Sequence, residues 1–325
     1  MLQLGCGSWG AGYAAALAER GALAGLVVRT ERSAQALSQS FRVPIGCDRE
    51  ALAAQVRPDA VVVATPTEQH AQDVHWALAR GLPTLVLKPV ASDAAHAVAL
   101  AERARAAGVA LTVAHEVLAN PSLAALLGVL ERAEIGPLER AEILRAGRER
   151  GRDGGPPRPM PEGPRFRRMW LEDTAIHEAV LACRLAGRRA PSAVEVSDFV
   201  LTPDAVTLHA TWRFDDGFSV ALRYDSRASR DPEQRVEVDG AAGAVGVLAT
   251  EGRAEVWLRD VTGEPRSVPR PAGIRGGPIA ACVTAWLATV RGEAPDAGVR
   301  LDDADDSARA QRAALALVRA ALDAA

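Results

Sequence analysis

Along the first third of the chain, short apolar runs alternate with amphipathic stretches, the pattern of βαβ units wound around a parallel sheet. The spacing predicts strands at Leu2 to Leu4, Ala24 to Val28, Ala60 to Ala64, Thr84 to Leu87 and Val109 to Val113, with helices between them. Gly21, Gly81 and Gly108 fall where helices should end, since glycine accepts the left-handed conformation common there.

After about residue 140 the period shortens to two. Val206, Leu208, Ala210, Trp212 and Phe214 share one face of an expected strand, and the "FDDGF" run at Phe214 to Phe218 reads as a tight hairpin turn. Further strands are expected at Ser192 to Val200, Ser219 to Tyr224, Arg235 to Val238, Ala244 to Leu248 and Ala254 to Leu258, followed by an Ala/Leu-rich helix from about Asp305 to Ala321. The expected architecture is an α/β Rossmann domain with a parallel sheet over residues 1–116. An α+β domain with a large open, mainly antiparallel sheet follows over 117–325, its final helix able to pack back on the first domain. An open sheet face should be apolar and covered by a second copy, which predicts a homodimer or homotetramer through the C-terminal sheet.

Composition narrows the function classes. The 325 residues exceed what one core usually supports, and 48% hydrophobic content suits globular domains. A formal net charge of -3 disfavours a general nucleic-acid or anionic-membrane binder. The start "MLQLGCGSWG" lacks a cationic and apolar leader, and no run approaches the roughly 18 apolar residues of a membrane span, so a cytoplasmic location is expected. Cys6, Cys47, Cys183 and Cys282 are scattered and read as thiols, and the six histidines show no metal-ligand spacing. Gly147 to Arg168, rich in Arg, Pro and Gly, reads as a long loop and a candidate lid for an anionic or sugar-derived substrate; a solvated surface loop fits the composition equally well.

Gly5, Gly7 and Gly10 form a GxGxxG turn between the first strand and a helix, with Ser8 and Trp9 inside it. Such a turn lets the backbone approach a dinucleotide, whose pyrophosphate meets free N–H groups at the helix start. The second strand ends at Arg29, Thr30 and Arg32, where an NAD site usually carries an acid. These residues favour a 2'-phosphate, hence NADP(H) over NAD(H), although a solvated strand end with Glu31 on the ribose is the alternative. Thr65, Pro66 and His70 follow the Ala60 to Ala64 strand and Lys88 follows the next, at strand carboxyl ends where open α/β sheets bind ligands. Asp173 and His177 stand four residues apart on one helical face, Asp173 expected near the helix N-terminus. An ordinary helical ion pair has the same spacing.

Together "GCGSWG", "TPTEQH", "LKPVA", "NPSL", "IGPL", the Asp173–His177 pair and "VEVDGAAGAVGV" resemble the Gfo/Idh/MocA oxidoreductases, in matching order over nearly the whole chain. The resemblance implies a cofactor domain joined to a substrate domain. It also implies Lys88 as the lysine of an EKP motif, with Leu87 in place of Glu, Asp173 and His177 as catalytic residues beside Lys88, and His70 at a position near the nicotinamide. The implied reaction is hydride transfer between nicotinamide and a carbonyl or alcohol carbon of a small polar or sugar-derived substrate, with imine reduction also open. A glycosidase with recycled NAD and a ligand sensor without turnover are the rival readings.

Overall fold

The computed structural model describes residues 1–147, 164–202, 205–227, 233–250, 253–272, 277–293 and 301–324. Its elements run β1 (Leu2–Leu4), α1 (Ser8–Glu19), β2 (Gly25–Val27), α2 (Glu31–Leu37), β3 (Ile45–Gly46), α3 (Arg49–Val56), β4 (Val61–Val63), α4 (Thr67–Leu78), β5 (Thr84–Leu87), α5 (Ala94–Ala107) and β6 (Leu111–Ala114). After a 3-10 turn at Glu116–Ala119 come α6 (Pro121–Glu131), β7 (Leu138–Ala146), α7 (Pro164–Leu185), β8 (Ala193–Leu201), β9 (Ala205–Arg213), β10 (Ser219–Arg227) and β11 (Glu233–Gly240). β12 (Gly243–Thr250), β13 (Arg253–Asp260), β14 (Pro265–Ser267), α8 (Gly277–Arg291), β15 (Asp302–Asp303) and α9 (Ala304–Ala324) complete the order. Two compact units result: Met1–Asn120 with Gly273–Ala308, and Pro121–Ala272 with Arg309–Ala325. Residues 273–308 therefore group with the N-terminal part of the chain.

The first unit is a Rossmann-type α/β fold. Its sheet runs β15-β6-β5-β4-β1-β2-β3, parallel throughout except for β15, which pairs antiparallel with β6. Because both faces are covered, its strands read as continuous apolar runs. Successive residues serve opposite faces: Val61 and Val63 of β4 pack in one core with Val74, Ala97 and Leu100, while Ala60, Val62 and Ala64 pack in the other with Tyr13, Leu17 and Trp286. α8, which supplies Trp286, shares that second face with α1.

The second unit holds an eight-stranded sheet in the order β14-β13-β12-β11-β7-β10-β9-β8. Only the β7–β10 pairing is parallel among the described strands. Val206, Leu208, Ala210 and Trp212 are buried, as their alternation requires, and so are Ile143, Val220, Val236, Val245 and Val256 on neighbouring strands. α6 packs on β12 and β13. The hairpin turn stands as expected, with Gly217 at φ +87° and the Phe214 N–H donating to the Phe218 carbonyl at 3.0 Å.

The sheet's other face differs from the apolar surface expected of it. Arg140 pairs with Asp239 at 2.7 Å, Arg223 with Glu142 at 3.2 Å and Arg259 with Glu237 at 3.7 Å. The same alternation that buries one set of residues places these ionic side chains opposite. All four cysteines are free thiols. Among the described residues no helix is long and apolar enough to cross a membrane.

Candidate cofactor and active site

β1 ends in the glycine turn, and the turn packs against the end of β4. Gly5 has φ +88°, and a Cβ placed on it would lie 2.4 Å from the Ala64 carbonyl oxygen. A Cβ on Gly10 would meet the Gly5 oxygen at 3.1 Å and the Ala64 Cβ at 3.2 Å. Gly7, the N-cap of α1, makes no side-chain cap and has nothing within 4 Å of its Cβ position. Ser8 and Trp9 are exposed in the first turn, Trp9 by 61%. First-turn N–H groups have no intrahelical acceptor and sit at the positive end of the helix dipole, so the open space over Gly7 fits a pyrophosphate.

Gln3 is a site residue that the sequence reading missed. It is fully buried on β1, and its Nε2 donates to the carbonyls of Gly5 and Gly10, each at 2.8 Å. One amide thus holds both ends of the turn. A polar residue between Leu2 and Leu4 in an otherwise apolar strand was the available signal.

At the end of β2, Arg29 and Arg32 are exposed and make no ion pair among the described residues. Thr30 is the N-cap of α2, accepting from the Ser33 N–H at 3.2 Å with its hydroxyl 2.8 Å from Ser33 Oγ. Its first task is therefore local. The Cys47 thiol pKa is raised, by desolvation first and by the neighbouring Glu31 carboxylate second.

The ends of β4 and β5 carry the remaining cofactor candidates. Thr65 donates its hydroxyl to Asp73 at 2.7 Å, and Arg49 holds the other Asp73 oxygen while stacking on Trp76 at 4.7 Å. Pro66 is the exposed N-cap of α4. Lys88 is half-buried after the last residue of β5 and joined to Pro89 by a cis peptide. His70, 2% exposed, lies with Nδ1 2.7 Å from the Pro89 carbonyl and Nε2 2.8 Å from the Thr65 carbonyl. Both ring nitrogens thus face backbone oxygens at the position that the resemblance puts near the nicotinamide. Burial pushes the His70 pKa down, opposed by these carbonyls and by the charges of Asp73 and Glu68.

In the second unit, Asp173 and His177 lie on one helix, as their spacing requires. The helix starts earlier than expected, at Pro164, so Asp173 stands well inside it rather than near its N-terminus, and the dipole argument for its ionisation lapses. The Asp173 side chain is outside the described residues. His177 is half-buried, and the adjacent Glu178 is buried with its Oε1 accepting from Arg145 Nε at 2.9 Å. Arg145 of β7, also bonded to Gln234 at 2.7 Å, is a further residue that sequence reasoning passed over. Of the expected Gly147 to Arg168 loop, residues 148–163 lie outside the described residues, and Pro164 onward belongs to α7.

The profile described as "Oxidoreductase family, NAD-binding Rossmann fold", Gfo/Idh/MocA, matches residues 2–115. A search of curated protein sequences finds no match. Among solved structures, the UDP-N-acetylglucosamine 3-dehydrogenase of Acidithiobacillus ferrooxidans is 22% identical, covering 99% of this chain and 97% of its own, with a TM-score of 0.76. An NAD-binding oxidoreductase from Klebsiella pneumoniae is 18% identical over 99% of this chain and 96% of its own, with a TM-score of 0.79. Levoglucosan dehydrogenase, in complex with NADH and levoglucosan, is 17% identical over 100% and 97%, with a TM-score of 0.74. These likenesses extend the shared fold to the second unit. Over residues 2–115 the chain carries the NAD-binding Rossmann domain of the Gfo/Idh/MocA oxidoreductase family.

Proposed function

We propose that the protein is an NADP-preferring dehydrogenase or reductase acting between a carbonyl and an alcohol carbon of a small, sugar-derived substrate. The observation that carries this reading is the glycine turn closed against Ala64, which leaves open helix N–H groups beside the strand end bearing Thr65. Two structural relatives act on sugars, UDP-N-acetylglucosamine and levoglucosan, which supports that substrate class.

Gly5, Gly7, Ser8, Trp9 and Gly10 would hold the pyrophosphate, Arg29 and Arg32 the 2'-phosphate, and Thr65 and Pro66 the nicotinamide half. When bound, the nicotinamide supplies or accepts the hydride at C4. Lys88 stabilises the negative charge developing on the substrate oxygen, and His177 gives that oxygen a proton during reduction and takes one during oxidation. Asp173, one turn before His177, orients the imidazole or a substrate hydroxyl. The first unit serves the cofactor, and the second unit, Pro121–Ala272 with Arg309–Ala325, serves the substrate and assembly into a dimer or tetramer.

The test is a fluorescence titration of the full chain with NADPH and NADH, using Trp9→Phe to identify the Trp9 signal. The reading expects quenching from Trp9 and clearly tighter NADPH binding. Tighter NADH binding would remove the NADP preference, and no binding of either would remove the function.

A further inference from the structure

The β4–β5 ladder ends at the pair Val63 and Val86. Beyond it their mutual register stops, one segment running on through Thr65 and Pro66, the other through Lys88 and Pro89. The prolines have no N–H to offer a neighbouring strand. His70 bridges the segments: from α4, its ring reaches the Thr65 carbonyl with Nε2 at 2.8 Å and the Pro89 carbonyl with Nδ1 at 2.7 Å.

Both partners are carbonyl oxygens, which only accept. An imidazolium donates to both, whereas a neutral ring has one N–H and donates to one. The ring's surroundings are largely fixed. Asp73 on α4 accepts from the Thr65 hydroxyl and is itself held by Arg49 of α3, Glu68 stands on the first turn of α4, and Lys88 precedes Pro89.

We infer that His70 is a positioning residue that ties the Thr65 segment to the Lys88–Pro89 segment, donating to both when protonated and to one when neutral. Its bearing on the cofactor rests on the function proposed above, since that reading gives Thr65 and Lys88 their roles. The tie itself does not depend on it. A buried histidine with two fixed acceptors sets the spacing of two strand ends to within a hydrogen-bond length, the tolerance such positioning needs.

Hydrogen exchange on the full chain tests the tie directly. His70→Leu, which has no donor, is expected to speed amide exchange about tenfold or more in both 65–69 and 88–91 while leaving β9 and β10 unchanged. His70→Gln, whose amide carries two protons at every pH, should return both segments towards the wild-type rate. Unchanged exchange in either segment of His70→Leu would overturn the proposal.

A second arm measures NADPH affinity against pH. In the wild type, affinity should fall as pH rises through the His70 titration, which burial sets below the ordinary 6.5, and His70→Gln should flatten that dependence. The same dependence in His70→Gln overturns the tie, and this arm decides should His70→Leu fail to fold. Absence of any nicotinamide dinucleotide binding by the wild type would instead sink the proposed function, leaving exchange to decide the tie.

Discussion

Gly5 and Ala64 are so close that a Cβ on the glycine would lie 2.4 Å from the alanine's carbonyl oxygen, with the glycine at φ +88°. Two independent constraints thus exclude any other residue at position 5. Gly5→Ala should lose about 2 kcal/mol or more of stability, from strain and overpacking together. It should also abolish detectable dinucleotide binding by opening the turn. Urea unfolding and an NADPH titration check the two effects separately.

Gln3 braces the same turn from below through the Gly5 and Gly10 carbonyls. Gln3→Glu keeps the size but removes both amide protons and, when ionised, sets a carboxylate against two carbonyl oxygens. It should cost about 2 kcal/mol or more and weaken NADPH and NADH binding alike. A variant that unfolds at the wild-type urea midpoint would deny the brace.

Cofactor choice should reside in Arg29 and Arg32. Arg29→Ala with Arg32→Ala should weaken NADPH binding at least about tenfold through loss of charge-assisted phosphate contacts, and leave NADH nearly unaffected. Equal weakening of both cofactors would assign these arginines to something other than the 2'-phosphate.

The pH dependence of stability follows from His70. Its folded pKa lies below the ordinary 6.5, because burial opposes the charged ring more than the two carbonyls favour it. Below 6.5 the unfolded chain then binds a proton that the folded chain holds less readily, so stability falls as pH drops from 6.5 through the folded pKa. The urea midpoint of the wild type should decline over that window, and that of His70→Gln should decline less.

The parallel half of the fold was legible because its strands are largely apolar and punctuated by glycines, as at Gly81 and Gly108. α8 was not foreseen: its residues Ala281, Val283, Ala285, Trp286 and Leu287 belong to a face of the first sheet, though they come late in the sequence. β7 also escaped notice, since "LERAEILRA" mixes ionic and apolar residues in a way that suits a strand or a helix. Its place at the centre of the second sheet is set by pairing with β10 and β11, which lie far along the chain. In the candidate site, the glycine turn was readable from residue type alone. The partners of His70 and Gln3 were not, because both side chains act on backbone carbonyls, and carbonyls leave no mark in a sequence.

The account stands or falls on whether Lys88 and His177, on separate units, serve one reaction centre. A crystal structure of the full chain with NADPH and a bound sugar substrate measures this directly. The account predicts the Lys88 amine and the His177 imidazole each within about 3 Å of the reacting substrate oxygen, with nicotinamide C4 facing the carbon that bears it. Separation of the two groups by more than about 10 Å in that complex, beyond the reach of a shared substrate oxygen, would contradict it.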